Sequence, residues 1–161
     1  MADILILTTG GTIDKVYFDA LSEFQVGDTM VPRLLAIGLS KQDVRIVEIA
    51  RKDSLELDDA DRAALRAAVA SAPESLIIIT HGTDTMTQTA AVLSDIAGKT
   101  VCMFGALSPA RFAESDAAMN LGMALATVQV APPGIYIAMN GTVFDAMKVR
   151  KDRAANAFVP L

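Results

Sequence analysis

Two threonine-rich segments place hydroxyl groups where they could take part in catalysis. Residues 8–13 (TTGGTI) directly follow the apolar run 4–7, and residues 80–85 (THGTDT) directly follow the apolar run 76–79. Each apolar run predicts a buried strand, so each segment lies at the carboxyl end of a strand. Because open parallel α/β sheets bind small ligands at that edge, the two segments predict a nucleophile and its partner facing each other.

Thr12 is the candidate nucleophile of the first segment. Gly10 and Gly11 let the backbone turn tightly and approach a ligand closely, which makes Gly11 a candidate substrate-binding residue. A threonine hydroxyl is a weak nucleophile until a neighbouring base takes its proton. The alternative is a plain strand-to-loop turn with a structural threonine. A dinucleotide loop is not indicated, because the G-x-G-x-x-G spacing is absent.

Thr83 and Asp84 are the candidate catalytic and substrate-binding residues of the second segment. The Asp84 carboxylate could accept hydrogen bonds from a substrate ammonium group, and Thr83 could hold a water molecule or donate to a developing charge. The alternative is that either residue caps the helix that follows. Both roles are compatible, because a helix N-terminus also offers backbone N–H groups to an oxyanion.

Lys151 is the candidate base. It lies in a basic cluster with Lys148, Arg150 and Arg153, and neighbouring positive charges favour loss of a proton from its ammonium group. A deprotonated Lys151 near Thr83 could take a proton through a water molecule. The alternative is that the cluster forms the solvated face of a helix.

The composition excludes several classes of protein. The chain has 161 residues, of which 52% are hydrophobic, and a net charge of −5, which argues against disorder and against a nucleic-acid partner. Cys102 and His81 are the single cysteine and histidine, so an internal disulfide, a Cys/His metal cluster and a Ser/His/Asp triad are all excluded. We expect Cys102 to be buried and inert. We also expect a cytoplasmic protein with no membrane contact, because neither a leader pattern nor an apolar run of bilayer length is present.

The pattern of elements predicts one α/β domain over residues 1–161, a doubly wound and mainly parallel sheet with helices on both faces. Strands are predicted near residues 3–8, 44–49, 76–80, 100–105 and 134–139. Helices are predicted at 30–37, from Asp58 to Pro73, at 86–96, at 114–130 and from about Asp145. Residues 14–29 show weak periodicity and are predicted to form a long connection, which in compact domains is often a lid or a disordered segment. A lid over Thr12 would exclude water and complete the pocket.

The two threonine segments together resemble the bacterial-type L-asparaginase family, which includes glutaminase-asparaginases. Residues 9–13 (TGGTI) are similar to the family's first signature, whose last threonine is the nucleophile and matches Thr12. Residues 80–86 (THGTDTM) are similar to the second signature, whose Thr-Asp pair serves catalysis and substrate binding. Both signatures occur in order, each behind its own strand. The mechanism of the family does not use the histidine that matches His81, and we expect His81 to pack at the end of the strand.

Shorter resemblances extend over nearly the whole chain. Residues 53–57 match a loop that binds the substrate's α-carboxylate, with Ser54 as the matching serine; a turn residue before a helix is the alternative. Residues 105–109 resemble a Gly-Ala-Met-Arg-Pro stretch, whose backbone, here at Ala106, lines the side-chain end of the pocket. Residues 139–143 followed by Lys151 resemble the segment that delivers the catalytic lysine.

The chain departs from the family pattern in two ways. The usual family member has a second domain, whose glutamate completes a Thr-Tyr-Glu set; this sequence ends at Leu161 and resembles the short-chain form that consists of the N-terminal domain alone. The family tyrosine lies well beyond the threonine in the lid loop, whereas Tyr17 is much closer to Thr12. The resemblance makes Tyr17 the candidate that activates Thr12, and the alternative is an aromatic side chain that packs beside Phe18.

The resemblance implies hydrolysis of L-asparagine to L-aspartate and ammonia through an acyl-enzyme on Thr12, without a metal or organic cofactor. Ser54 and Asp84 would hold the α-carboxylate and the α-ammonium of the substrate. We expect a homodimer or a higher homo-oligomer to cover the cleft. Two alternatives remain: hydrolysis of L-glutamine or another small amide, and a non-catalytic module that binds an acidic amino acid. The second accounts less well for the nucleophile, which a binding module does not need.

Overall fold

The computed structural model describes residues 2–161. The strands of this region are, in chain order, β1 (Ile4–Gly10), β2 (Lys15–Phe18), β3 (Glu23–Val26), β4 (Val44–Lys52), β5 (Leu76–Thr80), β6 (Thr100–Phe104), β7 (Gly134–Met139), β8 (Thr142–Asp145), β9 (Val149–Asp152) and β10 (Ala157–Pro160). The α-helices are α1 (Val31–Ile37), α2 (Asp59–Ser71), α3 (Met86–Leu93) and α4 (Ala117–Val130).

One mixed sheet forms the centre of the fold, in the order β4-β1-β5-β6-β7-β8. The first five strands in this order are parallel, and β8 pairs antiparallel with β7 at the edge. The predicted class, a mainly parallel α/β sheet, is confirmed. The predicted strands are also confirmed, with β1 and β4 extending a few residues further than expected.

The central strands send alternate side chains to two separate cores. In β1, Leu5 and Leu7 pack in the core beneath α2 and α3, whereas Ile4 and Ile6 pack in the core beneath α1 and α4. The central strands are almost continuously apolar because both of their faces are covered. Cys102 lies in the second core and is fully buried, as predicted, and burial raises the pKa of its thiol to about 12.

The clearest helix begins where the sequence predicts. The Asp58 side chain accepts from the Asp61 backbone N–H at 2.9 Å, and the Asp61 side chain accepts from the Asp58 backbone N–H at 3.1 Å. This reciprocal capping box satisfies two N–H groups that a helix start otherwise leaves unpaired. The helices predicted at 86–96 and 114–130 are shorter in the structure, where they span Met86–Leu93 and Ala117–Val130.

The predicted C-terminal helix from about Asp145 is wrong, because residues 142–160 form strands β8, β9 and β10. Asn140 and Gly141 both adopt positive φ, at 54° and 70°, and turn the chain from β7 directly into β8. After β8, β9 and β10 pair antiparallel as a separate two-stranded sheet. The basic cluster therefore lies on β9 and its flanks, so the alternative that it forms the solvated face of a helix is also wrong.

The prediction that residues 14–29 form an irregular connection is also wrong, because much of this segment is regular strand. Strands β2 and β3 pair antiparallel there and form a hairpin. Arg111 fixes its base by donating to the carbonyl oxygens of Asp14 at 3.0 Å and Asp28 at 3.1 Å. Lys15 makes an ion pair with Asp53 at 3.1 Å. Helices of a length and apolarity sufficient to cross a bilayer do not occur in residues 2–161.

Candidate active site

Four loops converge at the carboxyl edge of the sheet. The adjacent parallel strands β4, β1, β5 and β6 are followed by loops that carry Ser54, Thr12, Thr83 and Ala106, in that spatial order. From β1 the chain runs through α1 to β4, which is the neighbour of β1 on one side. It then runs through α2 to β5, which is the neighbour of β1 on the other side. The gap between β1 and β5 is therefore a topological switch point, where open α/β sheets bind ligands. Thr12 and Thr83 border this gap.

Two glycines bring the Thr12 and Thr83 loops into direct contact. A Cβ atom added to Gly11 would lie 2.6 Å from the Cα atom of Gly82, and the φ angle of Gly11 is 90°. A Cβ atom added to Gly82 would in turn lie 2.7 Å from the Oγ atom of Ser54. Real Cβ contacts are never this short, so only glycine allows the three loops to approach so closely. Gly11, predicted to bind substrate, therefore also sets the spacing of the site.

Ser54 is buried at the centre of this contact. Only 1% of the residue is exposed, and its hydroxyl has no hydrogen-bond partner among the described residues. Its backbone carbonyl accepts from the Thr85 hydroxyl at 2.9 Å, which ties the loop to the start of α3. A buried hydroxyl without a partner is costly unless another group pairs with it. The binding role of Ser54 stays a prediction.

Lys151 reaches the Thr83 loop from the separate β9–β10 sheet. Its Nζ atom donates to Thr83 Oγ1 at 2.7 Å and to Asp84 Oδ1 at 2.9 Å. Only 15% of the Lys151 side chain is exposed. The contact between Lys151 and Thr83 is direct, whereas the sequence predicts a proton path through water. The structure thus brings together three of the predicted catalytic residues.

Asp84 is held ionised by two cations. The hydrogen bond from Lys151 is the main cause of a pKa below the usual range for Asp84, and Arg153 at 3.3 Å adds to it. Asp84 does not cap α3, since the N-cap is Thr85 and no side chain caps this helix. The capping alternative for Thr83 and Asp84 is therefore wrong.

Ala106 lies in a loop that is hydrogen-bonded to the N-terminal part of α4 and its N-cap. The Asp116 carboxylate accepts the backbone N–H groups of Leu107 and Ser108 at 3.0 and 3.1 Å. Asn120 donates to the carbonyl oxygen of Gly105 at 2.9 Å. Ala106 itself is 2% exposed. This loop therefore forms the wall of the site on the β6 side.

A family model described as "Asparaginase, N-terminal" matches residues 3–158. The chain belongs to the asparaginase N-terminal family. The L-asparaginase of Thermococcus kodakarensis is 31% identical over an alignment 161 positions long, which covers 92% of this chain and 47% of that protein. L-asparaginase 2 of Escherichia coli is 31% identical over an alignment 162 positions long, which covers 94% of this chain and 47% of that protein.

Solved structures agree with this family assignment. The thermostable L-asparaginase from Thermococcus kodakarensis superposes with a TM-score of 0.84 at 28% identity, covering 98% of this chain and 51% of that chain. The chain therefore spans about half the length of that structure, and slightly less than half the length of the two curated relatives.

Tyr17 is the predicted site residue that the structure does not bring to the others. In this asparaginase-family chain it lies on β2, 49% exposed, with its ring centroid 5.5 Å from that of Phe24 across the hairpin. Its hydroxyl makes no hydrogen bond within residues 2–161. Tyr17 packs against Phe24 rather than beside Phe18, and its role in activating Thr12 stays a prediction.

Sequence reasoning missed two buried polar groups that support the asparaginase-family site. Asp14 is 1% exposed, accepts from the Met30 backbone N–H at 2.8 Å, and has a pKa raised to about 6, mainly by burial. Arg62 is 9% exposed and contacts Thr89. The signal for Arg62 was its spacing, because Arg62, Leu65 and Val69 repeat at i, i+3 and i+7, which places the arginine on the buried face of α2.

Within residues 2–161, no group of three or more His, Cys, Asp or Glu side chains is placed to hold a metal ion.

Proposed function

We propose that this chain hydrolyses a small amino-acid amide, L-asparagine in the first place, with Thr12 as the nucleophile. The observation that carries the proposal is the hydrogen-bonded set of Lys151, Thr83 and Asp84, with distances of 2.7 and 2.9 Å. Thr83 and Asp84 lie on the loop in which Gly82 contacts the Thr12 loop. The set joins two distant parts of the chain and places the Lys151 ammonium group in hydrogen-bond contact with the Thr83 hydroxyl. A binding module does not need this arrangement.

In the proposed reaction, the Thr12 hydroxyl oxygen attacks the side-chain amide carbon and forms a tetrahedral oxyanion. The Thr83 backbone N–H, which has no hydrogen-bond partner within residues 2–161, supplies a donor for that charge. The carbon–nitrogen bond then breaks and ammonia leaves with the proton from Thr12, so an ester on Thr12 remains. Water, positioned by Thr83 with Lys151 and Asp84, hydrolyses the ester and restores the hydroxyl.

Recognition of the substrate ends follows from the charges of the site. The buried and unpaired Ser54 hydroxyl would donate to the α-carboxylate, and the Asp84 carboxylate would accept from the α-ammonium. Gly11 and Ala106 would contact the substrate through their backbones. L-asparagine is proposed first because relatives carry the name L-asparaginase. L-glutamine is the alternative, because one methylene changes selectivity by only about ten- to two-hundredfold.

We also propose that the chain works as a homo-oligomer. Tyr17, Phe18, Phe24 and Phe112 are each 45–49% exposed, and three of these rings pack together at the hairpin. Exposed apolar patches of this kind often mark a contact with another chain. Light scattering should detect a dimer or a larger species, and a monomer at working concentration would refute this proposal.

The test of the proposed reaction is ammonia release from L-asparagine, with L-glutamine measured in parallel. Thr12→Ala should abolish release. Lys151→Met should reduce kcat by about a hundredfold or more, the usual range for a lost proton-transfer group. Lys148→Met removes an exposed lysine of the same cluster and should leave kcat unchanged. A fully active Lys151→Met variant, or no release from the folded wild type, would overturn the proposal.

A further inference from the structure

A continuous chain of hydrogen bonds runs beneath the proposed site and is not used in the reaction described above. Arg62 Nε donates to Thr89 Oγ1 at 3.1 Å. Thr89 Oγ1 lies 2.7 Å from His81 Nε2, and His81 Nδ1 lies 2.6 Å from the carbonyl oxygen of Gly82. All three side chains are buried, with exposures of 9%, 0% and 0% for Arg62, Thr89 and His81. The chain ends on the peptide bond that joins Gly82 to Thr83.

The direction of every bond in this chain follows from its two ends. A carbonyl oxygen can only accept, so His81 must carry its proton on Nδ1 and donate to Gly82. Burial lowers the pKa of His81 to about 4, so the ring is neutral near pH 7 and Nε2 must accept. The Thr89 hydroxyl therefore donates to Nε2, and its oxygen accepts from the Arg62 guanidinium. The donors all point from Arg62 towards Gly82.

The charge at the start of the chain is not neutralised locally. Arg62 makes no ion pair with a carboxylate in the described part of the chain, and its neighbour Asp61 is paired with Lys52 at 2.8 Å. The other contact of Arg62 is to the Leu57 carbonyl oxygen at 3.1 Å. In a buried, weakly screening environment, a cation polarises the hydrogen bonds that begin on it, and aligned bonds strengthen each other.

We propose that Arg62, Thr89 and His81 are positioning residues that polarise the Gly82–Thr83 peptide and thereby strengthen the Thr83 N–H as a donor to the reaction oxyanion. This inference rests on the proposed amide hydrolysis. Pulling electron density towards the Gly82 carbonyl oxygen makes the Thr83 N–H on the same peptide more acidic. The effect grows with negative charge on the acceptor, so it should act on kcat more than on KM.

The first test is the protonation of His81 in the wild-type protein, which is unambiguous because His81 is the single histidine. Nitrogen-15 spectra of the imidazole should show a protonated Nδ1 and an unprotonated Nε2 throughout the range from about pH 6 to about pH 8. Protonation at Nε2, or titration within that range, would overturn the proposal, because the bond directions would then be different. This measurement does not depend on activity.

The second test removes one hydroxyl from the chain. Thr89→Val should lower kcat by about tenfold with KM nearly unchanged, less than the hundred- to thousandfold cost of deleting an oxyanion donor outright. Thr89→Ser keeps the hydroxyl and should restore kcat. Thr127→Val is the matched control, because Thr127 is also a buried helical threonine, 5% exposed, whose hydroxyl donates to the Met123 carbonyl oxygen of its own helix and takes no part in the chain of hydrogen bonds; the kcat of this variant should not change.

The outcomes separate this inference from the proposed function. A wild type that releases no ammonia refutes the hydrolysis and, with it, any catalytic role of the chain of hydrogen bonds. An active wild type with unchanged kcat in Thr89→Val refutes the inference alone. Equal losses in Thr89→Val and Thr89→Ser refute it as well, because the loss would then reflect packing and not the hydroxyl.

Discussion

Replacing Asp14 with asparagine should stabilise the protein, and more so at about pH 8 than at about pH 5. The Asp14 carboxylate lies at the base of the β2–β3 hairpin with 1% exposure and accepts from the Met30 backbone N–H at 2.8 Å. Burial raises the pKa of Asp14 from 3.8 to about 6, and outweighs the opposing effects of the Met30 hydrogen bond and the Arg111 charge. At neutral pH the fold therefore holds an ionised carboxylate that burial disfavours.

The size of the effect follows from the difference in proton affinity. The unfolded chain loses this proton near pH 3.8 and the folded chain near pH 6, so the folded state binds more protons between these values. The free energy of unfolding therefore falls as the pH rises through this window. Above pH 7 the ionised Asp14 carboxylate lowers the free energy of unfolding by about 3 kcal/mol, and at pH 5 it lowers it by roughly half of that. Asparagine keeps an oxygen for the Met30 N–H but cannot ionise.

Urea unfolding at the two pH values measures this cost. The free-energy difference between Asp14→Asn and wild type should be larger at about pH 8 than at about pH 5 by about 1–2 kcal/mol. All other titrating groups are common to both proteins and cancel in that difference. Asp43→Asn, at an exposed position, should show no such change. A difference between Asp14→Asn and wild type that is constant or smaller at high pH would refute the argument from burial.

Three further results are expected. Gly82→Ala places a Cβ atom 2.6 Å from that of Ser54, so it should cost about 1–3 kcal/mol in urea unfolding and reduce ammonia release; normal stability would contradict the close contact. Cys102 is fully buried with a pKa raised to about 12, so a thiol reagent at about pH 8 should modify it only in urea. Arg111→Met removes both donors at the hairpin base, so hydrogen exchange should accelerate in residues 15–26 and not in the central sheet.

The central sheet could be predicted because its signals are local. Four- to six-residue apolar runs bounded by polar loops mark the strands of a sheet that is buried on both faces. In β5, Ile77 and Ile79 face one core while Ile78 faces the other. The Asp58–Asp61 capping box is equally local, since its residues are three positions apart. The loops that carry Thr12 and Thr83 could be placed for the same reason.

The region after β7 was mispredicted although a signal was present. Asn140-Gly141 between apolar residues is the strongest short-range indication of a hairpin, and it does form the turn from β7 to β8. The cluster of basic residues near Lys151 resembles the exposed face of a helix in sequence alone. Residues near the start of this region instead alternate as in a strand, with buried Phe144 and Ala146 on either side of exposed Asp145.

Long-range contacts of the site could not be read from spacing. Lys151 and Thr83 are separated by 68 positions, and no local pattern indicates that β9 crosses to the loop after β5. The same holds for Asp14, whose buried carboxylate accepts from the backbone N–H of Met30, sixteen positions away. Buried polar groups depend on which elements pack together, and a single sequence does not encode that locally.

The strand geometry of β9 explains how one lysine of a basic cluster is selected for the site. Successive side chains on a strand point to opposite faces, so Val149 and Lys151 share a face while Arg150 points the other way. Val149 is 4% exposed and anchors that face in the core, and Phe158, the partner of Lys151 on β10, is equally buried. Two buried apolar residues thus direct the Lys151 stem inwards to Thr83, whereas Arg150 stays in solvent. On a helix, residues two positions apart would diverge by about 200°, and burial of Val149 would turn Lys151 away from the site.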